Sequence, residues 1–205
     1  MKYLALGDSY TIGEGVPADA RWPALLARAL RDDGVAIDDP RIIATTGWTT
    51  DELSAAMDAA EPLGDWDFVT LLAGVNNQYR GRGLDEYRAQ FEALLHRAIV
   101  LAGGRCERVM VLSIPDWGVT RFGAESGRDL AAVSRELDAF NDAARALCAR
   151  HGVAFVDIAP VSRTRGGEPG MQAADGLHPS AEMHALWLQA ALPVAQRLLS
   201  DTEPD

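Results

Sequence analysis

One pattern constrains this chain more than any other. Short, mainly apolar runs with no alternating polar face alternate with longer stretches whose apolar residues recur every three or four positions. The runs are Lys2 to Leu6, Arg41 to Thr45, Asp67 to Ala73, Arg108 to Ile114 and Val153 to Ile158. A strand with no polar face must be buried on both sides, which predicts a parallel sheet covered by helices. The intervening stretches supply those helices. Trp22, Leu25, Leu26 and Leu30 form one stripe between Arg21 and Arg31. Leu84, Tyr87, Phe91, Leu94, Leu95 and Ala98 form another, and Leu130, Val133, Leu137, Phe140, Ala144 and Leu147 a third. Thr49 and Glu52 have capping-box spacing, and a last helix from Ser180 to about Ser200 carries Pro193 as an expected kink.

Five strands and their helices nearly use up the 205 residues. The expectation is one three-layer α/β/α domain over residues 1–205, with 201–205 as a frayed tail and no room for a lid domain. A composition of 48% apolar and 24% charged residues fits such a globule and excludes disorder, collagen and coiled coil. Nineteen basic against thirty acidic residues give a net charge of −11, which repels nucleic-acid phosphates and anionic lipid. No apolar run approaches the ~18 residues of a membrane span, so no integral membrane contact is expected. The stretch Tyr3 to Leu6 is too short for a signal-peptide core, which makes cytoplasm the expected location. Cys106 and Cys148 make neither a disulfide framework nor a zinc site and are expected to be small buried hydrophobes.

In open parallel sheets, ligands bind beyond the carboxyl ends of the strands, so the post-strand segments are where chemistry is sought. After the first strand comes Gly7-Asp8-Ser9-Tyr10, and after the second Thr46-Gly47-Trp48-Thr49. After the third comes Gly74-Val75-Asn76-Asn77. Each has an ordinary reading as a turn or cap. Each also places a serine, a backbone N–H or a side-chain amide at one sheet edge. Of the four histidines, His96 and His184 fall inside predicted helices as surface residues, and His151 lies at a helix end. Only His178 lies in a loop at a helix entrance. Asp175, three residues earlier, is within reach of its Nδ1 and can fix the tautomer.

The order and placement of these segments resemble the SGNH hydrolases, also called the GDSL esterase and lipase family. Gly7-Asp8-Ser9 matches the nucleophile block, Gly47 the second block, Gly74 and Asn76 the third, and Asp175 with His178 the D-x-x-H block. The resemblance covers most of the chain. It implies a flavodoxin-like sheet of order 2-1-3-4-5, a Ser9–His178–Asp175 triad, and an oxyanion hole of Ser9 N–H, Gly47 N–H and the Asn76 amide. It implies no metal and no organic cofactor. One departure stands out: the third block commonly reads G-x-N-D, and Asn77 replaces the acid here. The expected partner is a small-molecule ester, with short acyl groups favoured by an open, shallow site. A carbohydrate acetylesterase, a lysophospholipase and a thioesterase are alternatives within the family.

Trp48, Trp117 and Phe122 are candidates for an acyl- or sugar-binding surface, or equally for packing of loop onto sheet edge. The post-strand segments carry Arg80, Arg82, Arg121, Arg163 and Arg165 against Asp116, Glu125 and Glu168, a local balance of +2. Arg80 and Arg121 are therefore candidates for attracting an anionic ester, with solvated loop arginines as the other reading. A flavodoxin-like binding protein would share the strand order, but Asp8 and Glu14 repel phosphate where its phosphate loop should be. A catalytically idle carbohydrate-binding protein on this fold would not need all four motif positions filled.

Overall fold

The computed structural model describes residues 1–200, and the tail expected to fray lies outside them. Five strands, β1 (Tyr3–Gly7), β2 (Arg41–Ala44), β3 (Phe68–Leu72), β4 (Val109–Leu112) and β5 (Ala154–Val156), form one parallel sheet of order β2-β1-β3-β4-β5. Nine α-helices connect and cover it among the described residues. They are α1 (Ser9–Ile12), α2 (Trp22–Asp32), α3 (Thr50–Ala59), α4 (Val75–Tyr79), α5 (Leu84–Leu101), α6 (Arg121–Glu125), α7 (Leu130–His151), α8 (Ala159–Arg165) and α9 (Ala181–Leu199). Parallel neighbours need right-handed crossovers. Stepping from β1 out to β2 therefore puts α2 on one face, and stepping the other way puts α3, α5 and α7 on the opposite face. The packing follows: α3 against α5, α5 against α7, and α9 returning from β5 to lie on α2.

The predicted stripes are the buried faces. Trp22, Leu26 and Leu30 of α2 and Tyr87, Leu95 and Ala98 of α5 are wholly removed from solvent. The ends are set as the caps predict. Glu52 accepts the Thr49 N–H at 2.9 Å at the start of α3. Asp129 accepts from Ala132 N at 3.1 Å to start α7, and Gly152 ends that helix in the left-handed region. α9 continues past Pro193 as one helical element.

Three expectations need correction. The segment 159–174, read as loop, begins with α8. Its buried residues are Ala159 and Ser162 alone, so it shows no apolar stripe to read. His184 is not a surface residue: it is fully buried in α9, and its Nδ1 accepts the Trp22 N–H at 3.2 Å, satisfying the start of α2. Burial pushes its pKa down to about 3, which keeps the ring neutral and able to accept. Cys148 is buried as expected, whereas Cys106 is only half-buried.

Candidate active site

Gly7, the last residue of β1, pairs with Ala44 of β2 and Leu72 of β3. The three segments that leave these strands therefore emerge side by side, ~4.8 Å apart. A Cβ at Gly7 would stand 2.2 Å from Thr11 Oγ1 and 2.5 Å from the Leu72 carbonyl oxygen. Glycine is what lets the chain turn at once into α1, with Ser9 as its first residue. Asp8 caps that turn: its Oδ1 accepts the Tyr10 N–H at 3.0 Å, and its carbonyl accepts from Thr11 and Ile12. Ser9 is 4% exposed and reaches the surface only at the strand edge. Asp8 is wholly buried, and its second carboxyl oxygen has no hydrogen-bond partner. Burial pushes its pKa up to about 7, offset only in part by N–H groups that include those of Tyr10 and Gly74.

The flanking loops are tied to each other. Gly47 has φ +88°, a conformation that side chains other than glycine's rarely adopt, and its carbonyl accepts from Arg80 Nη2 at 2.6 Å. Asn76 lies in α4, and its Nδ2 donates to the Trp48 carbonyl at 2.9 Å, leaving the second amide N–H for another acceptor. Asn77 is fully buried. Its Oδ1 accepts the Thr50 N–H at 3.0 Å while its Nδ2 donates to Thr50 Oγ1 at 2.7 Å. Thr50 Oγ1 in turn donates to Gln90 Oε1 at 2.5 Å. The amide at position 77 thus does a job that needs both an acceptor and a donor, which accounts for the departure from G-x-N-D. Neither the Ser9 N–H nor the Gly47 N–H is taken up by the turns around it.

The segment from Ala173 to Ser180 is folded onto itself. Ala173 N donates to the His178 carbonyl at 2.8 Å, and Gln172 bridges Pro179. Within it Asp175 Oδ1 accepts the Leu177 and His178 N–H groups at 2.9 and 3.0 Å. Asp175 Oδ2 lies 2.6 Å from His178 Nδ1. Partial burial alone would raise the Asp175 pKa, but the His178 ring and these two N–H groups hold it below the usual carboxylate range. The Tyr10 ring stands edge-on to the imidazole, 6.1 Å between centroids. Arg121 braces the same segment: its Nη2 donates to the Ala174 carbonyl at 3.1 Å and its backbone N–H to Gln172 Oε1 at 3.1 Å.

Ser9, Gly47, Asn76 and His178 all line one cleft of about 170 Å³. This is small beside the ~300–1,000 Å³ typical of sites for drug-sized ligands. Trp117 and Phe122 also line it, joined by Tyr10, Tyr79 and Leu177, which the sequence reading did not single out. Tyr79 lies one turn after Asn76 on α4, and that spacing was its only signal. Its ring meets Trp117 at 5.5 Å and Phe122 at 6.3 Å, and the Arg128 guanidinium lies 4.3 Å from its centroid. Trp48 does not line the cleft; it packs half-buried against the core. Arg80 and Arg121 are likewise outside the lining and bind carbonyls, and Arg80 also pairs with Glu52. Arg82, Arg163 and Arg165 are paired with acids. A serine hydroxyl, an imidazole bonded to a carboxylate and N–H donors at one cleft are the kinds of group that acyl transfer requires.

Residues 5–186 match the GDSL-like Lipase/Acylhydrolase family. No curated protein matches the chain. Among solved structures, TesA is 22% identical with a TM-score of 0.76, covering 97% of this chain and 100% of its own. The psychrotrophic esterase EstA from Pseudoalteromonas sp. is 16% identical with a TM-score of 0.73, covering 98% and 99%. Axe2, an acetylxylan esterase from Geobacillus stearothermophilus, is 20% identical with a TM-score of 0.72, covering 95% and 93%. At these identities the structural likeness is one of fold. No helix among the described residues is long and apolar enough to cross a membrane. With the family matched over nearly the whole sheet, the chain belongs to the GDSL-like lipase/acylhydrolases, which are carboxylic ester hydrolases.

Proposed function

We propose that the chain is a serine esterase for short acyl groups, with Ser9 as nucleophile, His178 as general base and Asp175 as the group that orients it. The observation that carries this reading is the 2.6 Å contact of Asp175 Oδ2 with His178 Nδ1, in a ring that shares its cleft with Ser9. The contact commits Nδ1 to a proton and leaves Nε2 free to take one from the serine hydroxyl. Ser9 Oγ attacks the ester carbonyl, and the proton moves to His178. The carbonyl oxygen becomes an oxyanion, received by the N–H groups of Ser9 and Gly47 and the second N–H of the Asn76 amide. His178 then protonates the leaving alcohol, and water admitted to the cleft releases the acyl group by the same steps. The ring wall of Tyr79, Trp117 and Phe122 limits the acyl side, which supports short chains.

A second reading keeps the mechanism and makes the alcohol a sugar. It is favoured by the Tyr79 ring, 39% exposed beside the cleft, an apolar face of the kind a pyranose stacks on. Hydrolysis of p-nitrophenyl acetate tests the shared mechanism. Ser9→Ala and His178→Ala should each lose roughly 10⁴–10⁶ in turnover. Asn76→Ala should lose ~10²–10³ with little change in KM. A fluorophosphonate probe should label wild type and not Ser9→Ala. Undiminished turnover in a folded Ser9→Ala variant removes the assignment, and an acetylated xylo-oligosaccharide preferred over simple acetates selects the sugar reading.

A further inference from the structure

Away from the cleft, three side chains converge in a way that the ester chemistry does not use. Glu92 and His96 sit four residues apart on α5, so they share one helix face. His151 is the last residue of α7, the helix packed beside α5. His151 Nε2 lies 3.1 Å from Glu92 Oε1, and the rings of His96 and His151 meet edge-to-face with centroids 4.5 Å apart. One donor atom from each of the three lies within 4.8 Å of the other two. The cluster is open to solvent on one side: the side chains of His151 and Glu92 are 21% and 30% exposed, and His96 is exposed.

We propose that Glu92, His96 and His151 form a site for a divalent transition-metal ion, Zn²⁺ by preference, that joins α5 to α7. Two imidazoles and a carboxylate are a zinc-type donor set, and water completes four-coordination. Zn–N and Zn–O bonds of ~2.0–2.2 Å put tetrahedral ligand atoms roughly 3.4 Å apart. The present spread of up to 4.8 Å therefore has to close by little more than 1 Å, which rotation of the exposed His96 side chain supplies. Binding takes the place of the hydrogen bond between His151 Nε2 and Glu92, with the neutral imidazole carrying its one proton on Nδ1. Arg150 is the competitor, because its Nη1 holds the same Glu92 Oε1 at 2.9 Å.

Position gives the site a consequence separate from ester hydrolysis. α7 ends at His151 and leads into β5, so the cluster lies at the edge of the sheet where strands begin, opposite the cleft. Nearer the cleft, α5 and α7 are already locked by stacked Tyr87 and Phe140 rings, 4.5 Å apart. An ion at the other end would fasten the same pair of helices at a second point.

The test is titration of chelator-treated protein with ZnCl₂ by calorimetry, with Co²⁺ absorption as a reporter of coordination. One ion per chain is expected. His96→Ala and His151→Ala should each weaken binding by ~100-fold or more, and Arg150→Ala should tighten it several-fold by freeing Glu92. Zinc at ~100 times its Kd should raise Tm by ~5–10 °C in wild type and not in the two histidine variants. Turnover of p-nitrophenyl acetate should be unchanged in both. Equal zinc affinity in the His96→Ala/His151→Ala double variant, or no binding at all, overturns the proposal. His178→Ala, which tests the esterase reading, should bind zinc as wild type does; loss of the ion in that variant would move the site to the cleft and overturn it equally.

Discussion

Asn77 offers a test of how the loops of the proposed oxyanion hole are held. Its side chain and Thr50 are both fully buried, and they join α4 to the start of α3. Truncation in Asn77→Ala strips the Thr50 N–H of its acceptor where water does not reach. An orphaned buried donor costs ~1–3 kcal/mol, and the lost bond to Thr50 Oγ1 adds about 1 kcal/mol. A total of ~2–4 kcal/mol in a chain of this length lowers Tm by roughly 4–16 °C. The variant should also lose up to ~10² in turnover, because Asn76 is the adjacent residue and a donor displaced by about 1 Å costs on that order.

Asn77→Asp should behave differently. A carboxylate can accept from the Thr50 N–H and, if the hydroxyl turns over, from Thr50 Oγ1 as well. The Gln90 amide then has to flip to present its N–H₂ to Thr50, which breaks the bond its Nε2 donates to Glu86 Oε1 at 3.1 Å. The Thr50 contacts stay satisfied while Gln90 loses its bond to Glu86, so Asn77→Asp should fall between wild type and Asn77→Ala in both thermal melting and p-nitrophenyl acetate kinetics. Wild-type Tm and turnover in Asn77→Ala would refute the claim that this network holds the loops. A larger loss in the aspartate variant than in the alanine variant would refute the account of hydrogen-bond direction.

Two further outcomes follow from buried or braced groups. Asp8 carries a pKa of about 7 in the folded chain against 3.8 for the ordinary group, so the native state binds the extra proton between those values. Stability should therefore fall as pH rises from about 4 to 7, by on the order of 4 kcal/mol, and Asp8→Asn should flatten that slope in urea melts; an unchanged slope would show that the carboxyl is not its source. Arg121→Ala removes the tie to the Ala174 carbonyl. It should lower kcat on neutral and anionic esters alike with little change in KM, whereas a loss confined to anionic esters would return Arg121 to substrate binding.

The parts of this molecule that were legible in the sequence are those set by local pattern. Continuous apolar runs announced the strands, three- and four-residue spacing announced α2, α5 and α7, and glycine marked the strand exits at Gly7, Gly47 and Gly74. The parts that were not legible depend on partners distant in the chain. Nothing beside His184 announces that its ring accepts from Trp22, 162 residues earlier. Arg80 and Arg121 read as free cations because the carbonyls they bind belong to every residue and leave no trace in a sequence. α4 and α8 are too short to show a period, so Tyr79 was passed over and α8 was taken for loop. Asn77 looked like a defect in a motif until its two contacts with Thr50 gave it a task.

The flush ends of β1, β2 and β3 give the two halves of this site different thermal fates. Ser9 and Asn76 follow strands paired on both sides, β1 and β3, which are the last elements to come apart, and Gly47 follows the edge strand β2 beside them. The imidazole hangs on a strap that closes mostly on itself and is pinned from outside by Arg121 and the Phe122 N–H. Warming loosens the strap first. On the proposed mechanism the enzyme then loses its proton acceptor while the sheet is still intact, so activity should fade below the melting point and return on cooling.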